Sequence, residues 1–306
     1  MKRNHTVPFA IDSIAALFKQ LGLPKPMHPL VSVVRFEDIR RLPAELPATV
    51  TLNFYSIWLK KDFNGRMKYG HKPYDFDEGL MSFFLPGQVL TSEAPEELQH
   101  TGYWLILHPD ILWKHPLAGK IREYGFFSYA VNEALHLSEK EESMISGILQ
   151  NIEEEYRQPI DEFSAPSILS QVETLLIYAE RFYRRQFVTR KKANHTVLAR
   201  FETLVRKYID SDRLLETGIP TVQELARALQ ISPNYLSDLL RSLTGKNTQQ
   251  HIQERLIEKA KEQLSTTSLS VSEIAYGLGF GYPQSFSKLF KSKTKLSPQA
   301  FRAGFN

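Results

Sequence analysis

Two stretches of this chain repeat each other, and that repeat constrains the fold more than any other feature. TVQELARALQISPNYLSDLLRSLTG begins at Thr221 and SVSEIAYGLGFGYPQSFSKLFKSKTK begins at Ser270. The offset is 49 at the start and 50 from Pro233 against Pro283 onward, so the second copy gains one residue in its turn. Both copies open with a capping box, Thr221/Glu224 and Ser270/Glu273, in which a hydroxyl and a carboxylate satisfy two orphan N–H groups. An apolar–Ala pair follows in each, Leu225-Ala226 and Ile274-Ala275, where alanine lets helices approach closely. Leu229 and Leu278 continue the face, and Ile231 and Phe280 read as buried plugs in the turns.

The second helix of each copy is legible too. Ser232 can cap, and Pro233 stands where its missing N–H costs least. Leu236, Leu239, Leu240 and Leu243 point inward, which leaves Asn234, Ser237, Asp238 and Arg241 outward. In the second copy Phe286, Leu289 and Phe290 point inward, and Gln284, Ser287, Lys288 and Lys291 face out. Two short helices joined by a tight turn, the second polar and basic on its free face, make a helix-turn-helix. Such a face suits base edges and phosphates. Between the copies Asn247 to Leu264 reads as one 18-residue helix, roughly 27 Å long. It can hold two recognition helices about one DNA turn apart. A last short helix starts at Ser297-Pro298.

Charge follows the same division. Residues 191–306 carry 17 Lys+Arg against 10 Asp+Glu, and residues 1–190 carry 21 against 24. A basic C-terminal part under a mildly acidic N-terminal one suggests a polyanion partner. Cysteine is absent, which excludes disulfides, thiolate metal sites and Cys nucleophiles. No apolar run reaches the roughly 18 residues of a membrane span, and the N-terminus lacks a signal-peptide pattern. The expected location is cytoplasmic.

The first half has another texture. Val31 to Phe36, Val50 to Leu59, Gly79 to Leu85 and Tyr103 to Leu107 are short apolar stretches with partial alternation. Turn signals such as Asn64-Gly65 and Pro86-Gly87 separate them, which predicts an antiparallel sandwich or small barrel over roughly 30–108. A helix is expected between Ile11 and Leu21. From Ser138 the period turns helical, with Met144, Ile145, Ile148, Leu149 and Ile152 on one face. A second helix near Ser164 carries Ile168, Leu169, Val172, Leu175, Leu176, Ala179 and Phe182. That stripe can bury against the strands, against the preceding helix or against a second chain. Dimerisation through Leu175 and Leu176 is the expectation. The basic segment Val188 to Thr196 reads as the domain boundary.

The C-terminal part, from about His195 to Arg302, resembles the AraC/XylS family of bacterial transcription regulators. The resemblance rests on Ile274-Ala275, Gly279-Phe280, Ser285-Phe286, Phe290-Lys291, Ser297-Pro298 and Phe301-Arg302. Two departures stand out: Lys295 where the family has Gly, and Asp238 where it often has Arg. The N-terminal half looks loosely like the family's sensor domains, with Gly79 and Pro86-Gly87 as anchors. The resemblance implies an α+β chain. Its parts are a cupin-like ligand-sensing antiparallel β-barrel over 1–137, a helical connector with dimerisation helices over 138–189, and an all-α domain with two helix-turn-helix units over 190–306.

The implied function is sequence-specific DNA-binding transcription regulation by a non-enzyme. Its partners are double-stranded DNA, a small-molecule effector, RNA polymerase and a second copy of the chain, with no membrane. The DNA-binding candidates are Asn234, Ser237, Asp238, Arg241, Gln284, Ser287, Lys288 and Lys291. The ligand-pocket candidates are Phe54, Trp58, Phe83 and Tyr103, from an aromatic-dense strand region. No cofactor or metal is called for: His71, His100 and His108 form no His-x-His pair, and no nucleotide-binding or hydrolase motif occurs. Two other readings of the first half stay open at this point, a protein-interaction module without a small ligand and a barrel enzyme fused to a DNA-binding tail.

Overall fold

The computed structural model of the chain describes residues 8–39, 49–61, 68–69, 72–73, 79–91, 101–130, 133–189, 191–211 and 213–305. Asn64-Gly65, His71 and His100 lie outside the described residues. The chain divides into two compact units, Met1–Gln186 and Phe187–Asn306.

The first unit runs β1 (Phe9–Ile11), α1 (Ile14–Leu21), β2 (Val31–Arg35), β3 (Thr49–Leu52), β4 (Tyr55–Lys61), β5 (Lys68–Tyr69), β6 (Lys72–Pro73), β7 (Leu80–Phe84), β8 (Gln88–Thr91), β9 (Thr101–Leu107), α2 (Leu117–Lys120), β10 (Leu135–His136) and α3 (Glu139–Tyr156). Helix α4 (Ser164–Thr189) carries the chain across the division. The single stretch expected from Val50 to Leu59 is two strands, broken at Asn53-Phe54. Ser138 caps α3 through the reciprocal box with Glu141.

The barrel expectation is overturned. A barrel needs its end strands to hydrogen-bond to each other. Among the described residues the strands instead form two open sheets, β10-β7-β4-β9-β2 and β1-β3-β8, plus the small pair β5-β6. β1 runs parallel to β3, so the second sheet is mixed rather than antiparallel. Residues of α1, β1 and β3 share one buried cluster with Val34, Trp104 and Ile106 of the five-stranded sheet. One face of that sheet therefore looks toward the smaller sheet and α1. Its other face carries Phe83, which packs on Phe126, Phe127 and Tyr183 of the helical part.

Period-2 alternation sets which side chain meets which layer. Period 3.6 does the same for α4. Ile168, Leu169, Val172, Leu175, Leu176 and Ala179 are all buried within this one chain, Leu175 and Leu176 at 0% exposure. The stripe's width is thus explained by the core of the first unit, and the two leucines are not a free dimerisation surface.

The second unit is all helix: α5 (Lys191–Ile209), α6 (Arg213–Thr217), α7 (Val222–Leu229), α8 (Pro233–Thr244), α9 (Thr248–Thr266), α10 (Val271–Gly277), α11 (Pro283–Thr294) and α12 (Pro298–Ala303). One apolar cluster runs through α5 to α11, from Phe201 and Val205 through Leu225, Leu236, Ile252, Leu256 and Ile274 to Phe286 and Phe290. Ile231 and Phe280 are only partly buried against it, since each sits at the rim of its turn. No described helix is long and apolar enough to cross a membrane.

Candidate functional site

Both copies of the repeat fold as helix–turn–helix pairs, α7–α8 and α10–α11. Each begins with the capping box read from its sequence. The Thr221 N–H donates to Glu224 Oε2 at 2.8 Å and the Ser270 N–H to Glu273 Oε2 at 2.7 Å, with the return bonds to the hydroxyls at 3.3 and 3.2 Å. These bonds hold both carboxyls below the usual glutamate range, first through the backbone N–H and then through the hydroxyl. In the second turn Gly279 takes φ +79, and a Cβ there would stand 3.1 Å from backbone atoms of Leu214, Gly218 and Ile219. In the first turn Gln230 takes the equivalent left-handed conformation at φ 61.

Helix α9 joins the pairs. It has its own box, Asn247 with Gln250, and its 19 residues span roughly 28 Å. Arg255 in its middle reaches Asp210 at the end of α5 at 3.1 Å. The guanidinium of Arg302 donates to the carbonyls of Leu264 and Leu269 at 3.2 and 2.6 Å. A cation thereby satisfies an orphan acceptor in the last turn of α9, at Leu264, and ties down the loop that follows at Leu269. Phe301 stacks edge-on against Phe290, which continues through Phe286 to Phe280. The late Phe-Arg pair is therefore a structural clasp on the second helix-turn-helix.

The outward residues do not all behave alike. On α8, Asn234 and Arg241 are exposed. Ser237 is half-buried, and its hydroxyl lies 3.0 Å from that of the fully buried Thr248, so it ties α8 to α9. Asp238 accepts from Arg241 at 2.7 Å, one turn along the helix. Its charge therefore has a cation beside it. On α11, Gln284, Lys288 and Lys291 are exposed and Ser287 is half-buried. Lys293 and Lys295 add exposed cations beyond them.

Two residues were missed. Tyr276 and Tyr282 are 53% and 73% exposed on either side of the second turn. The repeat itself carries the signal: they occupy the places of Arg227 and Ser232 in the first copy. Tyr282 is the N-cap of α11 and makes no side-chain cap bond, so its phenol is available as a donor to a phosphate.

Lys295, where a glycine was expected, does adopt the left-handed conformation, φ 66, matching Gly245 after α8 at φ 78. The strain of an L side chain there, about 1–2 kcal/mol, outweighs the roughly 0.4–1 kcal/mol of unfolded-state entropy a glycine adds. Lys295→Gly is expected to stabilise the second unit by about 0.5–1 kcal/mol, read from denaturant midpoints. A lower midpoint would show that the lysine side chain contributes more than the strain costs.

In the first unit the four pocket candidates separate. Phe54 and Trp58 belong to the side facing the smaller sheet. Phe83 faces the helices, and Tyr103 lies under the Arg35 guanidinium at 5.1 Å, which in turn pairs with Glu153 of α3. The structure therefore does not bring the four together. It adds Trp104, Phe36 and Lys60 to the first side. Trp104 meets Trp58 at 5.6 Å between centroids, and the Lys60 ammonium stands 4.6 Å from the Trp58 ring. Burial pushes Lys60 down to about 8. Among the described residues no group of three His, Asp or Glu is placed to hold a metal.

Comparison with known proteins matches residues 225–304 to a model described as a helix-turn-helix domain. The chain is 29% identical over 171 residues to the HTH-type transcriptional regulator YijO of Escherichia coli (strain K12), covering 56% of each. It is 26% identical over 231 residues to the arabinose operon regulatory protein of Salmonella typhimurium, covering 72% of this chain and 75% of that one. To the arabinose operon regulatory protein of E. coli it is 33% identical over 94 residues, 31% of this chain and 32% of that one. Over the first of these relatives the chain spans little more than half the relative's length. Residues 225–304 therefore form a helix-turn-helix domain, with two capped units on one core.

Proposed function

We propose that this chain is a sequence-specific DNA-binding transcription regulator whose activity is set by a small molecule held in its N-terminal unit. The observation that carries the reading is the pair of helix-turn-helix units fixed to one core by α9, each presenting a polar or basic helix face. Asn234 and Arg241 on α8 and Gln284, Lys288 and Lys291 on α11 are the proposed DNA contacts, with Ser287 at the edge of the second face. Ser237 positions α8 through Thr248, and Asp238 restrains Arg241. Names of the matched relatives support regulation rather than catalysis. A homodimer and contact with RNA polymerase belong to the same reading, and the dimer contact lies away from Leu175 and Leu176.

Selection of random-sequence DNA with the full chain tests this. A consensus should emerge, and a footprint on it should show two protected patches about one helical turn apart per subunit. Enrichment of no sequence over the starting pool would refute the reading.

A further inference from the structure

We propose that the groove between α5 and α7 docks an acidic amphipathic helix of a partner protein. The groove has a volume of about 660 Å³ and opens to solvent. Its floor is Leu204 of α5 and Leu229 of α7, which belong to the apolar core of the second unit or pack against it. Ala199 and Ala228 flank that floor with short side chains, which leaves room above it. Arg200 and Lys207 line the groove, and both are exposed. Among the described residues neither makes an ion pair, and no Asp or Glu lines the groove. None of these residues is among the DNA contacts proposed above, so the inference stands apart from that reading.

Spacing and chemistry choose the occupant. Arg200 and Lys207 stand seven residues apart, so they project from one face of α5 with roughly 10.5 Å between them. Leu204 lies between the two on that face, one turn from each. A helix laid along α5 matches this pattern with carboxylates at seven-residue spacing and an apolar residue between them. Burial of that apolar residue against Leu204 and Leu229 supplies affinity, and the ion pairs at the rim set partner choice and on-rate. DNA fits this surface less well. A phosphate backbone gains from the two cations but leaves the apolar floor unused.

Selection on the full chain from a displayed library of helical peptides, randomised on their surface positions, tests this. The selected peptides should carry Asp or Glu at seven-residue spacing around an apolar residue. In calorimetry, a synthetic peptide of the winning sequence should lose at least tenfold in affinity when its acids become amides. Arg200→Gln combined with Lys207→Gln should cost the acidic peptide at least tenfold and its amide version less than threefold. Ala228→Trp fills the groove from an exposed position and should block the peptide too, so the test survives misfolding of either variant. No enriched peptide, or a consensus without acids, overturns the inference. So does equal binding to parent and variants, which is the result for acidic peptides that settle on the basic faces of α8 and α11. The paired Gln variant should also keep the parent's salt dependence in binding duplex DNA. A slope lower by about 2 would make the groove a phosphate track and overturn the protein-docking assignment.

Discussion

Leu175→Asp is expected to unfold the first unit rather than release a folded monomer. The side chain is fully buried within one chain, among Val172, Leu176 and Ala179, which are also at 0% exposure. Truncating such a leucine alone costs about 2–5 kcal/mol. A carboxylate in its place adds the penalty of an unpaired buried charge, or of the protonation that removes it. Against a total stability of about 5–15 kcal/mol, the sum takes most of what the unit has. Calorimetry of the variant should lose the transition of the first unit and keep that of the second, whose apolar cluster is its own. Ile177→Asp, on the 54% exposed side of the same helix, should change stability by less than about 0.5 kcal/mol. A Leu175→Asp protein that melts like the parent and sediments as a smaller species would place that residue at a chain–chain contact after all.

The contrast between those two positions shows where sequence reading ends. Periodicity identified the stripe on α4 but not what covers it, because burial depends on contacts between residues far apart in sequence, as where Tyr183 of α4 meets Phe83 of β7. The capping boxes at Thr221 and Ser270 involve only neighbours three residues apart, and local signals of that kind are readable. The same limit explains Ser237. Helical spacing places it outward, and its bond to Thr248 across the next turn depends on where α9 begins. In the sheets, alternation predicts that Trp58 and Lys60 share a face. Which of two faces meets the helices was not legible, so Phe83 and Tyr103 were grouped with residues on the opposite side. Barrel closure failed for the same reason, since it depends on whether β2, β10, β1 and β8 pair at their free edges, and no local pattern encodes that.

DNA binding by the full chain should fall steeply with salt, and the two recognition helices should divide the work. Arg227, Arg241, Lys288, Lys291, Lys293 and Lys295 are exposed in the second unit. If all six reach phosphates, affinity drops by about 10³-fold between 50 and 200 mM salt through counterion release. Four of the six lie on or just beyond α11, so the second helix carries more of this term. Gln284 can pair bidentately with adenine, and Gln284→Ala should cost about 1–3 kcal/mol on the selected site and relax preference at one position. Lys291→Ala should weaken all sequences alike and lower the salt slope by about 1. Asp238→Ala releases Arg241 from its partner at 2.7 Å, and should raise affinity for unrelated DNA rather than for the selected site. Titrations at four salt concentrations, on selected and scrambled duplexes, separate these effects. The ranking fails if Asn234→Ala abolishes preference while Gln284→Ala leaves it intact, for α8 would then be the reader and α11 the anchor.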